Sequence, residues 1–404
     1  MAEEPSLIGT DFDDEIHGPR PTVDEVLACQ LSSWYPTFSN ILPLNASDRE
    51  NHQCDSTQQQ RQNKLRKNVT IPSVIINDLP MPEFKNFLLT DGVKLPRGAT
   101  KLSSCAGVSS KSDDYENGDN EDDENDVEFH FPDLNDRIIE TVRERFSSAG
   151  AVMPKLNWSA PRDATWINEG TMKCKTPGDV YLLLKSSDFC THDVLYQSLQ
   201  DCQDYRTKVE DYDGDSLSPV HPPLQLILRK WCNLNPSMEF RCFVRRHELL
   251  GISQRQHSVH FPHLKQDKDQ IYDLIYDFFE DYVKHRFADG KIGNYVLDVF
   301  LDKKDRIWVI DFNPWARTTD SLLYEWSELM SMDDEPEDND DEGIRIAASE
   351  GEVRHDPLSS YRAPIDTVDL ASMTHGDAKQ FEEFMKLCQR PTYWEENSDE
   401  DEED

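Results

Sequence analysis

The chain has 404 residues, 37% of them hydrophobic and 10% aromatic, enough to bury one large or two moderate cores. Its formal charge is −37, but three runs without Lys or Arg, residues 112–128, 333–342 and 395–404, hold 10, 8 and 8 acidic residues, which leaves a net −11 for the rest. This balance argues against direct nucleic-acid binding, and no apolar run approaches the roughly 18 residues of a membrane span.

The nine cysteines are scattered and lack the paired close spacing of a zinc or redox motif, which implies a reducing compartment. With no apolar segment behind Met1, a cytoplasmic protein is expected.

Residues 1–20 read as a flexible N-terminus. Thr22 with Glu25 three positions on is a capping-box start, and Val26, Leu27, Leu31 and Trp34 line one helical face that stops before Pro36. Residues 45–67 are a polar, Gln-rich insertion. Residues 69–76 read as a strand, and 82–89 as a short helix ending at Asp91 and Gly92. Residues 100–128 form a second insertion containing the first acidic run. Beyond it Leu134, Ile138, Ile139, Val142 and Phe146 share a helical stripe closed by Gly150.

A short strand at 151–153 runs into a loop carrying Lys155, Asn157, Ser159 and Arg162, without the glycines of a Walker loop. Alone such a loop is weak evidence of phosphate binding against the plainer reading of a helix entry with a buried Trp158. Residues 181–184 are a further apolar element, and 200–220 an acidic insertion. Residues 224–231 read as a strand whose charged end, Arg229 and Lys230 followed by Trp231 and Cys232, suits a ligand edge. Residues 239–244 and 249–254 form a hairpin, and its Glu239, Arg241, Arg245 and Arg255 are either a phosphate-binding set or a solvated face. From Asp267, a helix buries Ile271, Leu274, Ile275, Phe278, Phe279, Tyr282 and Val283.

The stretch 294–315, NYVLDVFLDKKDRIWVIDFNPW, is the most informative. It reads as two strands joined by a four-residue loop, 303–306, with Asp302 facing Ile307, Asp298 facing Asp311 and Val296 facing Asn313. Period-two alternation puts Leu297, Val299, Leu301, Trp308, Ile310 and Phe312 on a core face, and Asp298, Asp311 and Asn313 on the other. Two carboxylates directly opposed, roughly 5 Å apart at Cβ, destabilise a sheet unless compensated. A divalent cation completed by an amide oxygen and substrate phosphates would compensate them; so would a basic side chain from elsewhere, or a raised carboxyl pKa. Downstream, Asp320 is placed to cap a helix through Leu322, Leu323, Trp326 and Leu329. The expected organisation is a body at 21–330, an acidic linker at 331–360, a docking segment at 361–390 with a helix near 381–387, and an acidic disordered tail at 391–404.

The blocks KLNWSAPRDATWI, KCKT, LKSSDF, LRKWC, EFRCFV, GISQR, IDFNP and TDSLL, spread from Cys29 to Trp326, resemble the cell-division-cycle protein 123 family. The resemblance implies an α+β, ATP-grasp fold: two α+β lobes with ATP and Mg²⁺ between them. Carried onto this chain, it implies metal ligands Asp298, Asp311 and Asn313. It also implies phosphate contacts from Lys155 and Arg162 with Asn157 and Ala160 in the same loop. Arg229, Lys230, Trp231 and Cys232 would form an adenine-side linker, and Glu239 and Arg241 would lie near the ribose and phosphates. The function implied is an ATP-binding assembly chaperone for eukaryotic translation initiation factor 2 that binds its gamma subunit, acting as a monomer without catalytic residues. A carboxylate–amine ligase working through an acyl phosphate is the alternative; it needs a base beside an acceptor pocket, and His257, His260 and His263 read as loop histidines. A scaffold with a vestigial metal site is a third reading.

Overall fold

The computed structural model describes residues 18–40, 68–92, 95–99, 128–210, 220–332 and 343–355. Insertion 45–67, the acidic runs apart from Glu128, segment 361–390 and tail 391–404 lie outside them.

Thr22 starts α1 (Val23–Ala28) through the expected capping box, its hydroxyl accepting from Glu25 N while the Glu25 carboxylate accepts from Thr22 N at 2.7 Å. The single helix read from the periodicity is in fact two. Gln30 is extended, Leu31 N donates to the carbonyl of Asn157 at 3.2 Å, and α2 (Leu31–Ser39) begins afresh with Pro36 inside it. That tertiary hydrogen bond replaces the helical one at the break. Trp34 and Phe38 of α2 enter the main core.

The expected strand at 69–76 is divided between two sheets. Val69 accepts from Val309 N at 2.7 Å and Thr70 bridges Val309, whereas only β1 (Ser73–Ile76) joins the smaller sheet. Then follow α3 (Glu83–Leu89), α4 (Pro132–Glu140) with a wider turn at Thr141–Arg145, and β2 (Val152–Lys155). Next come α5 (Pro177–Lys185), α6 (Asp188–Val194), α7 (Gln197–Gln200), α8 (Tyr205–Glu210) and β3 (Leu226–Lys230). The small sheet is antiparallel in the order β1-β3-β2. One core holds Phe84, Phe87, Leu134, Ile138, Tyr181, Leu226 and Leu228. Alternation on β3 sends Ile227 instead into the core of the larger sheet, so this strand is buried on both sides. Leu199, Cys202 and Val220 pack on Val23 and Val26, which ties the stretch near 200 to α1.

The larger sheet contains β4 (Glu239–Arg245), β5 (Glu248–Gln254), β6 (Tyr295–Leu301), β7 (Ile307–Pro314) and β8 (Ile344–Arg345), ordered β7-β6-β4-β5-β8. Its pairs are antiparallel except β5 with β8. One face packs Phe240, Cys242, Val244, Leu297 and Val299 against α2 and α9 (Leu264–Phe278). The opposite face carries Glu239, Arg241, Asp298, Asp311 and Asn313.

In the β6–β7 hairpin, Asp298 faces Asp311 and Val296 faces Asn313, as counted, but the path there differs. Leu301 pairs with Ile307, so the connection is one residue longer, and a bulge between Val309 and Asp311 absorbs Ile310 and restores the count. The longer turn is held by Asp302, whose carboxylate accepts from Lys304 N, Arg306 N, Arg306 Nε and Trp308 Nε1. One consequence corrects the expected faces: Ile307 and Val309 are the buried core residues, and Trp308 and Ile310 are only half-buried.

The helix expected from Asp320 also starts later. Asp320 Oδ1 accepts from Leu322 N at 2.8 Å in a turn, and Leu322 is left-handed at φ 57°, which a helix cannot contain. Glu325 caps α10 (Trp326–Ser331) instead. Among the described residues no helix is long and apolar enough to cross a membrane.

Candidate functional site

The opposed carboxylates are compensated by cations. Arg241, beside Asp298 on β4, forks onto it through Nε and Nη2 at 2.7 and 2.8 Å, and Arg255 Nε lies 3.2 Å from the same carboxylate. Asn313 Nδ2 donates to Asp298 at 3.3 Å. Asp311 pairs with Lys155 Nζ, which comes from the small sheet and is only 2% exposed. Burial alone would raise the Asp298 carboxyl, but Arg241 and Arg255 more than offset it and hold Asp298 well below the usual carboxylate range. Glu239 responds the other way: burial pushes its carboxyl up against the pull of Arg255 and Arg162.

Beside these pairs lies a cavity of about 480 Å³, within the range of small-molecule sites. Its wall carries four guanidinium groups, from Arg162, Arg241, Arg255 and Arg317, against a single carboxylate, Asp320. The charge of Arg255, with burial second, lowers Arg162 to about 10. Arg255, despite its burial, is raised by the charges of Asp298 and Glu239, so Arg162 is the cation of this pair that is weakened. Arg241 is aimed by its third nitrogen, Nη1, which donates to the Asp320 carbonyl at 2.7 Å.

Of the residues expected at a site, Arg162, Arg241 and Asn313 line this cavity. Asp298, Asp311 and Lys155 stand behind it as ion pairs, and Glu239 acts on Arg255 and Arg162 through its charge. Asn157 is fully buried and committed to the protein: its amide donates to Gln30 Oε1 and the Pro223 carbonyl and accepts from Gln225 N. Ala160 accepts from Arg162 N at 2.7 Å within the same loop. At the end of β3, Lys230 N and Trp231 N donate to the carbonyls of Pro72 and Ala151, and Cys232 is half-buried. Arg229, 1% exposed, reaches across to the larger sheet.

Three residues outside the family-implied set shape the site, of which Arg255 belongs to the phosphate-binding set read from the hairpin. Arg255 and Arg317 line the cavity, and Asp193 holds the basic loop by accepting from Trp158 N, Ser159 N and Ser159 Oγ at 2.7–3.0 Å. Arg255 is visible in sequence as the charged end of its hairpin. Asp193 lies more than thirty residues from the loop it organises and has no local signal.

Residues 63–371 match the model of the family described as D123. The chain belongs to that family. It is 36% identical over 370 residues to a protein of Xenopus tropicalis named translation initiation factor eIF2 assembly protein, covering 90% of this chain and 96% of the relative. It is 38% identical over 308 residues to cell division cycle protein 123 of Phaeosphaeria nodorum, covering 74% of each. The mixed α and β architecture with two sheets matches the solved structure of C-terminally truncated Cdc123 from Schizosaccharomyces pombe, at 29% identity and a TM-score of 0.54 over 81% of this chain and 98% of that one.

The residues fit a magnesium–polyphosphate ligand by the chemistry of their donors. Asp298, Asp311 and Asn313 bear hard oxygens of the kind Mg²⁺ takes, with Asp298 held here by Arg241 and Arg255 and Asp311 by Lys155, and the cavity supplies guanidinium groups for phosphate. Among the described residues no group of three or more His, Cys, Asp or Glu side chains could hold a metal, so the set rests on Asp298, Asp311 and Asn313 alone.

Proposed function

We propose that the chain binds ATP with Mg²⁺ between its two sheets, in an ATP-grasp arrangement, and serves in the cytoplasm as an assembly chaperone for eukaryotic translation initiation factor 2 through its gamma subunit. The observation that carries the nucleotide part is the cavity wall with four guanidinium groups, two of which share the one carboxylate of Asp298, so that a triphosphate would add negative charge the wall can use. The assembly part is supported by membership of a family whose curated relatives bear that name.

In this reading Asp311, Asp298 and Asn313 hold the metal, which would neutralise and orient the phosphates. Arg162, Arg241 and Arg255 bind phosphate oxygens, and Lys155, now paired with Asp311, is drawn toward the same charge. Binding gates partner affinity only if ATP favours the partner-competent state. The test is capture of purified gamma subunit by the full chain with ATP and Mg²⁺, with ATP and EDTA, and without nucleotide. Tighter capture with ATP and Mg²⁺ is expected; equal capture in all three removes the nucleotide from the account.

A further inference from the structure

Residues 343–355 run along the β5 edge of the larger sheet and end beside residues that line the cavity. Ile252 N donates to the Gly343 carbonyl at 2.9 Å, β8 pairs in parallel with β5, and Ile344 and Ala347 are buried, so this segment is built into the body. Ala347 N donates to Gln254 Oε1 at 3.1 Å, while its carbonyl lies 2.7 Å from His260 Nδ1.

The last two residues hold both loops that line the cavity. From the first loop, His257 accepts at its carbonyl from Arg354 N at 3.0 Å, and its Nε2 lies 3.3 Å from the His355 carbonyl. On the second, Arg354 Nη1 donates to the carbonyls of Leu322 and Tyr324 at 2.8 and 3.1 Å and lies 2.9 Å from a Glu325 oxygen. Leu322 is in the left-handed region, a conformation that costs a β- or γ-branched residue energy and persists only when its surroundings impose it. These loops carry Arg255 and the Asp320 carbonyl that aims Arg241.

We propose that residues 343–355 are a positioning strap for the anion cavity, with Arg354 the residue that ties its two loops together. Nucleotide affinity is therefore set in part by a segment at the edge of the larger sheet, and by reciprocity a bound nucleotide steadies that segment. The inference rests on the nucleotide reading above.

The test uses the full chain and its Arg354→Ala and Arg354→Lys variants, titrated with ATP and Mg²⁺ by calorimetry, with hydrogen exchange of residues 344–354 followed with and without ligand. Arg354→Ala should weaken binding about tenfold, in the lower half of the usual range of site-to-site coupling. Arg354→Lys should stay within about threefold of wild type, because all three side-chain contacts use one nitrogen and an ammonium has three donors. Ligand should slow strap exchange in wild type and not in Arg354→Ala. Wild-type affinity in the alanine variant, or a lysine variant no better than alanine, overturns the strap while the nucleotide reading stands. Failure of wild type to bind overturns the nucleotide reading and the strap with it.

Discussion

Arg229 of β3 donates through Nη1 to the carbonyl of Ile310, the extra residue in the β7 bulge, at 2.6 Å. The bulge thus presents a main-chain acceptor to the other sheet. The guanidinium's remaining Nε and Nη2 are buried without a hydrogen-bond partner among the described residues. An unsatisfied buried cation is expensive, which makes Arg229 a residue retained at a cost to stability.

Arg229→Met should therefore leave the fold within about 1 kcal/mol of wild type, since an apolar side chain of similar length removes unpaired donors as well as one bond. Denaturant titration checks it.

Arg241→Ala should behave oppositely. It strips Asp298, 1% exposed, of its forked partner, and breaking a buried pair from one side costs about 3–5 kcal/mol. Urea unfolding measures it. A loss below about 1 kcal/mol would mean that Arg255 alone suffices for Asp298.

The Asp298 carboxyl, depressed by Arg241 and Arg255 against the effect of burial, also fixes a pH dependence. Its stabilisation is complete above the unfolded value of about 3.9 and is lost as pH falls through the lower folded value. The stability gap between wild type and Asp298→Asn should stay flat from about pH 8 to about pH 5 and close only below about pH 4. Glu239, raised by burial and by the charge of Asp298, has the opposite slope and changes when Asp298 is replaced, so the gap is read with Glu239→Gln in both proteins.

Deleting Ile310 should give a folded protein. Without it, Val309 and Asp311 follow one another opposite Val299 and Asp298, and every other side chain keeps its face. What is lost is the acceptor of Arg229, so the variant should unfold at a lower temperature with its circular dichroism unchanged.

Much of this was legible in the residues. Alternation on 294–315 located the hairpin and the opposition of Asp298 to Asp311, although a longer turn and a bulge cancelled in the count. Alternation cannot register a bulge, because the signal for one is the main-chain acceptor it offers to a distant Arg229. Nor could spacing name the compensating cations: Lys155 is 156 residues from Asp311 and Arg241 is 57 from Asp298. A distant partner overrode the pattern in the same way after Gln30, where the hydrogen bond from Leu31 N to the Asn157 carbonyl interrupts a helix that periodicity continues.

The most direct measurement of the central claim is calorimetric titration of the full chain with ATP, with and without Mg²⁺, beside Asp311→Asn. Asp311 is the carboxylate to change, because its side chain is 18% exposed and less committed to the core than that of Asp298. Wild type should bind ATP more tightly with Mg²⁺ than without it, and the affinity of the variant should not depend on the metal. No binding by wild type, or an equal response to Mg²⁺ in the variant, would contradict the claim.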